Sequence, residues 1–199
     1  DMSDEPILLR DESAGVVRLI LIRPKAFNSL NRALLRAASE VVPDGVTIEV
    51  AEIDDLPLYN WDVEQEQGFP ESVARFRNRI AEADALLIAT PEYNNSMPGA
   101  LKNAIDWASR GGRNAPINEK PAAIMGAAGR LGSVRAQLHL RTVLMNNDLR
   151  VVQKPEVLVS GGANFTDGEL TEERYRDQIR RLLESLLELV ERERSPAGA

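Results

Sequence analysis

Three loops of the chain carry residues whose types and spacing could seat and orient a small ligand. The segment "TPEYNNSMPGALKNAIDW" (90–107) gathers Pro91, Asn94, Asn95, Pro98 and Gly99. Proline fixes φ, while asparagine and glycine accept left-handed backbone, so this stretch predicts a rigid, exposed turn. Such a turn can aim backbone N–H and C=O groups at the edge of a planar ligand. The plainer alternative is an ordinary loop that Pro98 ends by opening a helix, and the residues alone leave both readings open. The segment "GAAGRLGS" (126–133) supplies glycines that permit close backbone approach. The third, "LILIRPKAFNSLNRALLRAA" (19–38), reads as a buried strand, a loop and a helix, the order that brings phosphate groups to a helix N-terminus. Its loop contains no glycine, and Leu21 and Ile22 stand where small residues are expected.

Other chemistries find little support. The chain has no cysteine, which removes disulfides, thiolate catalysis and cysteine-ligated metals. Its single histidine, His139, sits at helical spacing in "SVRAQLHLRTVL" and is read as a packing or interface residue, together with Arg135 and Arg141. Asp54, Asp55, Asp62, Glu64 and Glu66 form an acidic segment that is read as a loop and a solvated rim, with no histidine nearby to make a metal site. Asp106 and Trp107 fall on the helix after the Pro/Asn turn, where Trp107 is expected to be buried against the sheet rather than stacked on a cofactor.

The elements that must position these loops alternate. Short apolar runs at 15–22, 46–53, 85–90, 121–126 and within 150–160 read as buried strands. Amphipathic stretches at 29–42, 70–83, 98–110, 133–147 and 171–194 read as helices. Five strands alternating with five helices predict an α/β fold, a doubly wound five-stranded parallel sheet with helices on both faces and ligands at the carboxyl ends of its strands. A chain of 199 residues suits one domain, placed at 15–194, with an N-terminal extension at 1–14 and a disordered tail at 195–199. The balance of 24 basic to 31 acidic residues, net −7, argues against nucleic-acid or anionic-membrane partners and for a small-molecule ligand. No apolar run approaches the roughly 20 residues of a membrane span, and the acidic start lacks a leader pattern, so a cytoplasmic protein is expected.

The blocks "IDDLPLYNWDVEQEQGFPESV", "TPEYNNSMPGALKNAIDWASR" and "GRLGSVRAQLHLRTVL" resemble consecutive motifs of the NAD(P)H-dependent FMN reductases, a flavodoxin-like family that includes chromate and quinone reductases. The resemblance covers about residues 29–160. It implies that Pro91, Glu92, Tyr93 and Asn94 hold the isoalloxazine ring, largely through backbone groups, and that Gly129 belongs to a loop passing close to the flavin. Ala127 and Ala128 stand where relatives commonly carry serine. The resemblance also implies FMN as cofactor, NADPH or NADH as reductant, a small-molecule electron acceptor, and assembly as a homodimer or homotetramer through the "RAQLHLR" helix. Hydride chemistry belongs to such a cofactor, so no catalytic triad or metal is required.

In relatives the first strand runs into a Gly-Ser-Leu-Arg turn and then Ser-x-Asn, which surround the FMN phosphate. Arg23, Ser29 and Asn31 fit that scheme, whereas Leu21 and Ile22 replace Gly-Ser and "PKAFN" lengthens the interval. Residues 6–29 instead resemble the N-terminal segment of enoyl-CoA hydratases, which suggests a borrowed first strand joined near Ser29 to a reductase body. Three functions follow in order. The first is an NAD(P)H-dependent FMN reductase acting on quinone, azo or chromate acceptors. The second is a flavodoxin-like scaffold with impaired FMN binding, and the third, with least support, is a hydratase acting on acyl-CoA.

Overall fold

The computed structural model describes residues 17–23, as backbone, and 29–195. Expectations for the N-terminal extension, the loop at 24–28 and the last four residues of the tail lie outside the described residues. The elements run β1 (Val17–Arg23), α1 (Ser29–Glu40), β2 (Val46–Glu52), α2 (Trp61–Gln67), α3 (Glu71–Glu82), β3 (Ala85–Ala89), α4 (Gly99–Ala108), β4 (Pro121–Ala128), α5 (Val134–Leu144), β5 (Arg150–Val151), β6 (Val157–Ser160), β7 (Phe165–Thr166), β8 (Glu169–Leu170) and α6 (Glu173–Arg194).

The parallel sheet is ordered β2-β1-β3-β4-β5, with β6 also pairing β4. The chain leaves β1 toward β2 on one side and returns to β3 on the other, so the topological switch lies between β1 and β3. In this strand order the crevice outside the carboxyl ends of β1 and β3 is the expected ligand position.

Alternation along the strands assigns the two faces. Ala85, Leu87, Ala89, Ala123, Met125 and Ala127 pack with α1 and α6, while Leu86, Ile88, Ala122 and Ile124 pack with α3, α4 and α5. Period-two side-chain direction therefore makes one continuous apolar strand serve two cores. Trp107 is fully buried in the second core, its indole N–H donating to Pro57 O at 2.8 Å and its ring meeting Tyr59 edge-on at 4.9 Å.

Three features differ from the sequence expectation. The acidic segment is not all loop: Asp62, Glu64 and Glu66 lie on α2, which buries no residue. Asn60 caps it, its Oδ1 accepting from Asp62 N at 2.8 Å, and Gly68 ends it with φ of 74°. The capping signal was present, but a helix without an apolar stripe has no periodicity to read. The fifth strand is split: β5 pairs with the start of β4 and β6 with its end. Finally, a hairpin of β7 and β8 precedes α6, and Leu170 packs into the α1–α6 core.

Candidate functional site

β1 continues through Arg23. Leu21 and Ile22 are paired on both sides, Leu21 with Val50 and Leu87, Ile22 with Ala51 and Ile88. The two bulky residues therefore belong to the central strand, which ends at Arg23, one residue beyond the expected run. Their side chains, and that of Arg23, lie outside the described residues. Ser29, exposed, is the first residue of α1, whose first turn carries no acidic side chain.

The Pro/Asn turn is a tight hairpin. Tyr93 and Ser96 exchange backbone hydrogen bonds at 2.9 Å, and Asn94 and Asn95 hold φ of 49° and 64°. Two successive left-handed residues define a type I′ turn, for which asparagine is suited. Pro91 and Pro98 are buried at its base, while Tyr93 is 43% exposed.

This turn is fastened to the N-terminus of α5 by Glu92. Its Oε2 accepts from Arg135 N at 2.8 Å and Ala136 N at 3.3 Å, and its Oε1 takes the Arg135 guanidinium at 3.1 Å. Burial pushes the Glu92 carboxyl up, but the donors from Ala136 and Arg135 outweigh it and hold the group below its ordinary value. Arg135 also donates to Asn95 Oδ1 at 3.0 Å, and His139 Nδ1 lies 3.1 Å from Ser96 Oγ. Arg135 and His139, expected as packing or interface residues, pack against this chain's own turn. Arg141 donates instead to Val152 O at 3.0 Å.

The third wall is the end of β4. Asn31 is buried, its Nδ2 donating to Ala127 O at 2.8 Å and its Oδ1 accepting from Ala127 N at 2.9 Å. Asn31, expected beside a phosphate, clamps both backbone groups of Ala127 at the root of the β4–α5 loop, because its position on α1 faces the sheet. Gly126 permits the close meeting of β3 and α5: a Cβ there would collide with Ser133 Oγ and Thr90 O. Gly129 is exposed, and a Cβ on it would meet nothing.

Glu92, Asn94, Asn95, Gly129 and Arg135 line a common cleft of about 490 Å³ at the carboxyl edge of β3 and β4. Of the sequence candidates, Glu92, Asn94 and Gly129 face it, and Pro91 and Tyr93 belong to its turn. Asn31 supports it from below. Asn95, read from the sequence as part of the turn, also lines the cleft; sequence reading missed the tethering role of Arg135, for which its position in the first turn of a helix after a glycine loop was the available signal. A second cleft of equal volume, lined by Arg150, Lys154 and Arg192, opens beside α6. It adjoins β5, which pairs with the start of β4, away from the carboxyl edge.

The cleft fits a flavin mononucleotide. Its volume falls in the range of small-molecule sites, roughly 300–1,000 Å³. It offers a rigid amide-bearing turn, an uncrowded glycine, and a carboxylate already matched by its donors. Among the described residues no cluster of three or more His, Asp or Glu could hold a metal, and no helix is long and apolar enough to cross a membrane.

Comparison with known proteins agrees with this geometry. Residues 21–164 match the family model described as NADPH-dependent FMN reductase. That match begins upstream of Ser29, where the sequence suggested a junction. An NAD(P)H-dependent FMN reductase of Pseudomonas aeruginosa is 52% identical over 161 residues, covering 79% of this chain and 86% of the relative. An NAD(P)H:quinone oxidoreductase of Solanum tuberosum is 42% identical over 168 residues, covering 79% and 84%. The solved structure of FerB, an NAD(P)H:(acceptor) oxidoreductase from Paracoccus denitrificans, superposes with a TM-score of 0.78 at 31% identity, covering 88% of this chain and 98% of that one.

Proposed function

The chain belongs to the NADPH-dependent FMN reductase family, and we propose that its cleft serves quinone reduction, with FMN taking reducing equivalents from NAD(P)H. The observation that carries this reading is the type I′ turn of Tyr93, Asn94, Asn95 and Ser96, locked to α5 at the switch-point side of the sheet. FMN, when bound, accepts hydride from the dinucleotide and returns it to an acceptor. The chain's part is orientation. Residues 91–94 and Gly129 hold the ring, and Arg23, Ser29 and the first turn of α1 hold the phosphate. Glu92 keeps the turn from moving, so that two substrates can meet one ring face in turn. Azo compounds and chromate are further acceptors that the same open cleft admits.

The working form is a homodimer or homotetramer in the cytoplasm. Support for assembly comes from Leu138 and Met145, which are 56% and 71% exposed on α5 and the turn after it. Sedimentation at micromolar concentration tests this, and a clean monomer refutes it. Initial-rate kinetics test the reaction: parallel double-reciprocal lines are expected for NADPH and a benzoquinone. Absence of NAD(P)H oxidation at saturating FMN and quinone overturns the reading.

A further inference from the structure

The turn of Gly129, Arg130, Leu131 and Gly132 presents a cation to the cleft. Gly132 N donates to Gly129 O at 3.1 Å, and the same oxygen accepts from Gly161 N at 3.1 Å, which ties the turn to the end of β6. Gly132 holds φ of 62° and lies against Leu158, so tightly that an added Cβ would sit 3.0 Å from its backbone carbon. With both ends fixed, the apex residues Arg130 and Leu131 are held out toward solvent, Leu131 at 48% exposure. Both line the cleft. Arg135, the other arginine there, is engaged by Glu92 and Asn95. Among the described residues Arg130 has no ion-pair partner. The Glu92–Arg135 pair cancels, so Arg130 is the cleft's uncompensated charge on a chain of net −7.

We infer that Arg130 anchors a phosphate group of the reduced dinucleotide. The inference rests on the proposed use of NAD(P)H. Of the two substrates, a quinone is neutral, whereas the dinucleotide carries a diphosphate and, in NADPH, a 2′-phosphate. A guanidinium matches phosphate with a planar fork of donors. An uncompensated cation in a cleft of an acidic protein concentrates anionic ligands there. The FMN phosphate does not compete for it, because β3 separates β4 from β1, where that group is assigned. Leu131 gives the anion an apolar neighbour that reduces screening by water.

The test uses FMN-loaded protein, wild type, Arg130→Gln and Arg130→Lys. Each is titrated calorimetrically with adenosine 2′,5′-bisphosphate and with 5′-ADP, and assayed with NADPH and NADH. Arg130→Gln is expected to weaken at least one probe by about tenfold or more, the worth of one charge-assisted hydrogen bond. The matching dinucleotide's KM should rise by a similar factor while the KM for benzoquinone holds, and Arg130→Lys should recover part of the loss. Loss confined to the 2′,5′-bisphosphate assigns the 2′-phosphate; loss for both probes assigns the diphosphate. Unchanged probes and dinucleotides overturn the inference, as does a rise in benzoquinone KM in step with the dinucleotide's. Should neither dinucleotide reduce the wild-type protein while probe binding still depends on Arg130, the reductase reading fails and the phosphate site stands.

Discussion

Glu92 receives both the backbone N–H and the guanidinium of Arg135, at 2.8 Å and 3.1 Å, across 43 residues of sequence. A loop residue thereby caps a helix it does not precede. The cap that Ser133 leaves unmade, since its side chain forms no capping bond, is supplied from the neighbouring strand's loop. Three hydrogen bonds to Glu92 thereby join the Pro/Asn turn to the first turn of α5 beside the cleft.

Removing that carboxylate should loosen the turn and the helix together. Glu92→Ala loses an N-terminal cap, about 0.5–2 kcal/mol, which at about 2–4 °C per kcal/mol lowers the melting midpoint by several degrees. FMN affinity should fall about tenfold, because the ring's seat must then be ordered on binding. Thermal melts of apoprotein and flavin titration check both effects; a variant matching wild type in each refutes the tether.

Acid should act through the same group. The Glu92 pKa lies below its ordinary value in the folded protein. A depressed carboxylate contributes stability that is fully present above the unfolded value, about 4.3, and is lost as pH falls through the folded value. Wild type should therefore lose its advantage over Glu92→Gln as pH is lowered below about 4. Melting curves from neutral to acid pH would show the two converging; parallel curves would contradict the assignment.

Asn31→Asp tests whether position 31 serves the backbone or the phosphate. A carboxylate accepts from Ala127 N but cannot donate to Ala127 O, leaving a buried carbonyl unpaired at about 1–3 kcal/mol. The apoprotein should therefore melt lower. If only FMN binding suffers and the apoprotein is unchanged, Asn31 acts directly on the phosphate.

Gly126→Ala should be among the most damaging single-methyl additions. The new Cβ would overlap Ser133 Oγ, which rotates, and Thr90 O, which is backbone and does not. Overpacking costs about 1–3 kcal/mol or more. Gly129→Ala, where a Cβ meets nothing, is the matched control: stability should be retained, and any effect should fall on flavin binding.

Much of the fold was legible because it is written locally. Apolar runs such as 85–90 and the amphipathic stripe of 171–194 report their own burial through spacing, and their alternation leaves few topologies open. The Pro/Asn turn was legible for the same reason, since left-handed φ at Asn94 and Asn95 is a property of those residues in that setting. The motifs at 90–107 and 126–133 also carried the family and its cofactor. What escaped is what depends on neighbours distant in sequence. Leu21 and Ile22 were legible as strand, but their place between β2 and β3 was not, since pairing partners are distant in sequence. The bonds of Asn31 to Ala127, 96 residues away, could not be read from spacing, because only the sheet sets the two against each other. Helix α2 escaped because it buries nothing, and the break between β5 and β6 because one apolar run serves either one strand or two. Residue spacing encodes which face of an element is buried; which loops converge, and which donor meets which acceptor, is fixed only when strand order brings the ends of β3 and β4 together over α1 and α5.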